Sequence, residues 1–134
     1  MIKLFLFILS TTLLFSSSIE NKLTIQAQKE NKLIMIEVTS KYCYYCKKMD
    51  NNVFTDKTVL SILNKYYIFD KIYIDKEKLP FNLKENFSGM TPTFFILTKD
   101  GTFLKEIKGS WSKSDFIEIL NSNSDLKEDE FDEI

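Results

Sequence analysis

The sequence contains no histidine at all. That excludes Ser-His-Asp and Cys-His catalysis and every imidazole metal ligand, so acid–base work falls to Asp, Glu, Lys, Tyr, Cys or water. Glycine and proline are scarce, at three and two residues in 134, which leaves no room for long flexible linkers. There are only two cysteines, so no framework of several disulfides can staple the chain. A large excess of one charge is also missing: the net charge is −1. Nucleic-acid binding, which needs a clustered basic face, is therefore not indicated. The charge is unevenly spread. Six acids and one lysine lie between Asp125 and Ile134, and Leu4 to Ser124 carries +3.

What is present is ordinary for one globular domain: 44% hydrophobic and 28% charged residues, in a length sufficient for one core. The N-terminus stands apart. Lys3 supplies a positive start. Leu4–Leu9 and Leu13–Phe15 form an apolar stretch, and Ser16–Ser18 are small residues suited to cleavage. Residues 1–18 read as a signal peptide, cleaved after Ser18, with an uncleaved membrane anchor as the competing reading. The apolar stretch is short for a span, which takes about 20 residues. No cysteine follows it, so a bacterial lipoprotein anchor is not available. A periplasmic or secreted location is expected, where disulfides persist.

Ile19 to Asn31 reads as an amphipathic helix, although Leu23–Ala27 also alternates like a strand. Leu33–Val38 is an almost unbroken apolar run, the pattern of a strand covered on both faces. A helix is expected from Cys43 to about Asn51, and helical spacing with an Asp56 cap from Asp56 to Lys65. Tyr66–Asp75 reads as a second strand. Lys76–Ser88 is a polar connection with a short helix after Pro80. Thr93–Leu97 is a third strand, and Asp100-Gly101 predicts a tight turn into an antiparallel strand over Phe103–Lys108. A last helix runs from Ser112 to Leu120, and residues 123–134 read as an acidic disordered tail. The folded domain is then 19–122. This order predicts an α/β sandwich with a mixed sheet.

The chemistry is concentrated in Lys41-Tyr42-Cys43-Tyr44-Tyr45-Cys46-Lys47-Lys48, where a buried strand hands over to a helix. A cysteine near a helix N-terminus meets unpaired N–H groups and the positive dipole end, which favour its thiolate. A second thiol three residues on is close enough to form a disulfide and to resolve a mixed one. Two duller readings compete. A structural bridge closing so short a loop contributes roughly 2 kcal/mol. Half a metal site lacks the four ligands zinc takes, with no histidine to complete it.

Taken together, these features resemble the thioredoxin family, from about Leu33 to Leu120. The resemblance rests on Ile34–Val38 leading into Cys43-Tyr44-Tyr45-Cys46, on Ile72–Asp75, on Gly89-Met90-Thr91-Pro92-Thr93-Phe94, on Lys99-Asp100-Gly101 and on Gly109. It implies a thioredoxin-like three-layer α/β/α sandwich with a mixed central sheet. It also implies roles. Cys43 would attack and Cys46 resolve. Pro92 would be a cis-proline facing the disulfide, with Thr91 offering backbone groups to a substrate peptide. Glu37 would be the family's buried acid and proton acceptor for Cys46, with Lys71 as its partner. Read locally, an acid in an apolar strand is costly to bury unless neutral or paired, and a surface-facing glutamate is the alternative. Tyr42, Tyr44 and Tyr45 would form an apolar docking collar or else pack inward.

Two features depart from the family. The dipeptide between the cysteines is Tyr-Tyr, and Tyr42 stands where a tryptophan often precedes the first cysteine. The function expected is an exported thiol–disulfide oxidoreductase that reduces disulfides in other exported proteins, in cytochrome maturation or sulfur oxidation. It would be fed by a membrane electron donor, act as a monomer and carry no cofactor beyond its own redox-active disulfide. Alternatives are a redox-inactive peptide-binding or chaperone-like module and a thiol-based Cu(I) carrier.

Overall fold

The computed structural model describes residues 18–126. Residues 1–17 of the expected signal segment (1–18) and most of the acidic tail lie outside the described residues. In chain order the elements are α1 (Ile19–Glu30), β1 (Leu33–Thr39), α2 (Tyr44–Asn52), α3 (Lys57–Tyr66), β2 (Tyr67–Tyr73), a single 3₁₀ turn (Leu83–Glu85), β3 (Thr93–Leu97), β4 (Phe103–Lys108) and α4 (Lys113–Asn123). The strands form one mixed sheet in the order β2-β1-β3-β4. β1 runs parallel to β2 and antiparallel to β3, and β3 is antiparallel to β4.

β1 explains the layering. It is central, and every residue from Ile34 to Thr39 is buried. Successive side chains alternate between faces. Ile34, Ile36 and Val38 pack with Leu23 and Ala27 of α1 and with Leu83 of the 3₁₀ turn. Met35 points the other way, into a cluster with Met49 of α2, Val59 and Leu63 of α3, and Phe116 and Leu120 of α4. The result is a three-layer α/β/α thioredoxin fold with a separate apolar core on each side of the sheet. Glu37 shares Met35's parity, so it lies on the α2 side.

Local chemistry sets the helix ends. Ser18 Oγ accepts the Asn21 N–H and caps α1, which settles Ile19–Asn31 as helix rather than strand. Asp56 accepts N–H bonds from Thr58 and Val59 and caps α3. Ser112 caps α4 by accepting from Asp115.

Two boundaries differ from expectation, the ends of β2 and α4. β2 stops at Tyr73, because the chain turns at Ile74–Lys76 once the pairing with β1 ends at Thr39↔Tyr73. The β3–β4 connection spans residues 98–102, as the expected strand bounds require. There Thr98 Oγ1 accepts the N–H groups of Asp100 and Thr102, and the Gly101 N–H donates to the Thr98 carbonyl to close a tight turn. Gly101 is required in it: its φ is +88°, and a Cβ there would lie 2.5 Å from the Phe81 ring. Finally, α4 continues past Leu120 to Asn123, whose buried amide donates to the Ile119 carbonyl and accepts from Lys105. Among the described residues, no helix is long and apolar enough to cross a membrane.

Candidate active site

The sheet topology gathers four loops at one end. The carboxyl end of β1 leads to the cysteines. β2 runs parallel to it, and Ile74 N–H donates to the Thr39 carbonyl at 3.0 Å. Asp75 accepts the Lys41 N–H at 3.2 Å, pinning the loop before the cysteines. β3 runs the opposite way, and the Val38↔Thr93 pairing places Pro92 beside that same loop. The Thr91–Pro92 peptide is cis, and the Pro92 carbonyl accepts the Gly109 N–H at 2.9 Å. Trp111 follows, and its N–H reaches Met49 Sδ on α2 at 3.2 Å.

Cys43 is the N-cap of α2, in extended conformation, and is joined to Cys46 by a disulfide with a Cα–Cα distance of 5.2 Å. Its sulfur accepts the Cys46 N–H at 3.1 Å. The sulfur thus occupies the place of a capping oxygen, facing the unpaired amides of the first turn. The two sulfurs differ in access. Cys43 is half-buried, whereas Cys46 is 1% exposed and packs inward with Met49. An incoming group meets Cys43 first.

The aromatic residues around the pair point outward. Tyr42 is 83% exposed, and Tyr44 and Tyr45 are exposed too, with their rings edge to face at 5.4 Å. Inward packing of these three is therefore excluded. Met90 and Trp111 add exposed apolar surface at the same end. Thr91 is half-buried, and the Met90 carbonyl accepts the Thr93 hydroxyl at 2.7 Å.

On the α2 side of the sheet, a buried carboxyl meets two charged groups that reach the surface. Glu37 is completely buried. Its register partner on β2 is Lys71, whose Nζ lies 3.2 Å from Glu37 Oε2. That contact is an ion pair without hydrogen-bond alignment, and neither Glu37 oxygen has an aligned donor. Lys71 instead hydrogen-bonds Asp50 of α2 and stands 4.5 Å from the Phe54 ring centre. Burial raises the Glu37 pKa to about 7, against the opposing pull of Lys71 and helped by the charge of Asp50. Burial alone would lower the Lys71 pKa, but its hydrogen bond to Asp50 and the two carboxylate charges outweigh that and hold it above its ordinary value.

The surface-facing reading of Glu37 is thus excluded, and the pairing with Lys71 is present. Asp50 and Met49 were not legible as site residues. The only signal was their place on α2, three and four residues after Cys46. Among the described residues, no group of three or more Cys, Asp or Glu side chains is arranged to hold a metal ion.

A helix-capping, solvent-reachable sulfur bridged to a buried one on this fold defines a thiol–disulfide oxidoreductase. The chain belongs to the thioredoxin family: the model of a thioredoxin-like domain matches residues 20–123. The fold is similar to that of a thioredoxin from Thermus thermophilus, with a TM-score of 0.65, 21% identity, and coverage of 75% of this chain and 80% of that one. It is also similar to the oxidised C-terminal domain of Neisseria meningitidis DsbD, with a TM-score of 0.62, 16% identity, and coverage of 80% and 94%. A disulphide isomerase from Xylella fastidiosa aligns with a TM-score of 0.63, 13% identity, and coverage of 75% and 85%. A comparison with curated proteins finds no match to the sequence.

Proposed function

We propose that the protein is an exported reductase of disulfides in other exported proteins. The observation that carries this reading is the asymmetry of the sulfur pair: Cys43 caps α2 and is reachable, while Cys46 is buried behind it. In the reduced protein the Cys43 thiolate, favoured by the first-turn amides, attacks one sulfur of a substrate disulfide and expels the other as a thiolate. The Cys46 thiol then loses its proton and attacks Cys43 in the mixed disulfide. The second substrate thiol leaves, and the Cys43–Cys46 bridge forms. Glu37 accepts the Cys46 proton, a role supported by its burial on the α2 side of β1 and by its pKa near neutrality.

Tyr42, Tyr44 and Tyr45 form the collar on which a substrate segment docks. Thr91 and Pro92 line the backbone edge along which that segment extends. The cycle closes when a membrane electron donor reduces the bridge, so the protein needs no cofactor beyond its own cysteines and works as a monomer. The leader expected at residues 1–18 supports a periplasmic or secreted location.

The test is insulin reduction by the purified protein and by its Cys43→Ser variant. Loss of activity in the variant supports the reading, and equal rates discard Cys43 as nucleophile. Equilibration with glutathione gives the direction: a potential more oxidising than that couple overturns the reductase assignment.

A further inference from the structure

Three charged groups from three elements meet on the α2 side of the sheet: Glu37 on β1, Lys71 on β2 and Asp50 on α2. The pairing is lopsided. Lys71 is aligned with Asp50, through a hydrogen bond, and only near Glu37, at 3.2 Å without alignment. The exposures are graded as well. The Glu37 side chain is fully buried, Lys71 is 27% exposed and Asp50 is 41% exposed. Two carboxyl groups thus share one ammonium, the inner one buried and the outer one open to solvent. Asp50 also stands one helical turn beyond Cys46, on the helix that carries the redox pair.

We propose that Asp50 is a positioning residue for the redox centre. It engages the Lys71 ammonium on the solvent side of Glu37 and so competes with the buried carboxyl for it. The physical ground is competition. An ammonium wholly committed to Glu37 would stabilise the carboxylate in a low-dielectric site and leave a poor proton acceptor there. Drawn outward, it leaves Glu37 with two unaligned oxygens and a carboxyl that keeps its proton to higher pH. The charge of Asp50 acts in the same direction. The Phe54 ring, 4.5 Å from Nζ, provides a third contact that holds the ammonium in this intermediate place. Among the described residues, the charges that act on Glu37 are those of Lys71 and Asp50, and the β3 residue paired with it is Phe94.

This deepens the reading above, since it names what sets the proton affinity of Glu37. Its test needs no turnover, so the two fail separately. The Glu37 carboxyl carbon is followed by NMR against pH in the oxidised protein, where neither cysteine titrates. Asp50→Asn is expected to move the midpoint down by about one pH unit, a tenfold change in proton affinity, as Lys71 turns fully to Glu37. Lys71→Met is expected to move it upward. In the Asp50→Asn/Lys71→Met double variant the Asp50 effect is expected to shrink well below its single-variant size. Asp50→Ala is a second variant at the same half-exposed position and is expected to shift the midpoint in the same direction. A midpoint unmoved or raised in both Asp50 variants overturns the proposal. So does an undiminished Asp50 effect without Lys71, which would leave a simple charge effect in place of positioning.

Discussion

The Cys43 sulfur and the Cys46 backbone nitrogen are 3.1 Å apart, so the residue that caps α2 is also the one proposed to attack. A capping oxygen at this position would only satisfy an unpaired amide. A capping sulfur is favoured as the thiolate by the same amide and by the helix dipole.

The first prediction concerns thiol reactivity. After reduction, alkylation of Cys43 is expected to titrate well below the free-cysteine value of about 8.5. Cys43 is expected to be labelled far ahead of Cys46, which is 1% exposed. Iodoacetamide rates against pH, read by peptide mass, check both. An apparent pKa near 8.5 would favour the redox-inactive binding module instead.

The second concerns stability against pH. Glu37 holds its proton to about pH 7 in the folded protein, whereas its ordinary value is 4.5. Between those two values the native state binds a proton that the unfolded chain has lost. Stability therefore falls as pH rises through this window, by on the order of 3 kcal/mol from this group. Below pH 4.5 the penalty is absent, and above pH 7 it is complete. Urea unfolding of the oxidised protein from pH 4 to 8 measures it. Glu37→Gln is expected to flatten that slope and to leave the protein as stable as, or more stable than, the natural chain at pH 8, because Lys71 keeps Asp50 as its partner.

A third prediction tests how the domain is closed. The Tyr67 hydroxyl, buried at the start of β2, donates to the Leu120 carbonyl at 2.6 Å and ties the sheet to α4. Tyr67→Phe is expected to cost about 1–2 kcal/mol in urea unfolding, with redox activity retained. Burial, and then the charge of Asp125, hold the Tyr67 pKa above its ordinary value. Alkaline ultraviolet titration of the native protein should accordingly find one tyrosine that ionises only on unfolding.

The fourth separates docking from folding. Tyr42, Tyr44 and Tyr45 are exposed. Replacing all three by Ala is expected to change stability by less than about 1 kcal/mol, the scale of surface substitutions. The same variant is expected to lose several-fold in kcat/KM for a protein disulfide while keeping its rate with a small-molecule disulfide. Equal loss on both substrates would remove the tyrosines from docking.

Much of this architecture was legible in advance, for local reasons. The continuous apolar run Leu33–Val38 announces a strand buried on both faces. The cysteines directly after it announce the strand-to-helix junction, and Asp56 and Ser112 announce helix starts. The loop at residues 98–102 was legible too, since Asp100-Gly101 marks the turn that the Thr98 hydroxyl and carbonyl then hold. The end of α4 at Asn123 was hidden behind an Asn/Ser-rich composition, and only the contact with Lys105 on β4 reveals why those residues stay helical.

The order of the residues alone determined most element types and the place of the sulfur pair at a helix entrance, since both are written in short-range periodicity and spacing. Tertiary structure decided which groups surround that pair. The Glu37–Lys71 pair was expected only from the family resemblance, and nothing local in the sequence pointed to Asp50. The three meet because parallel pairing of β1 and β2 sets Glu37 opposite Lys71, and because α2 packs its Cys46–Met49 face on that side of the sheet. A buried acid's proton affinity depends on what stands within a few ångströms of it, and long-range packing alone supplies that.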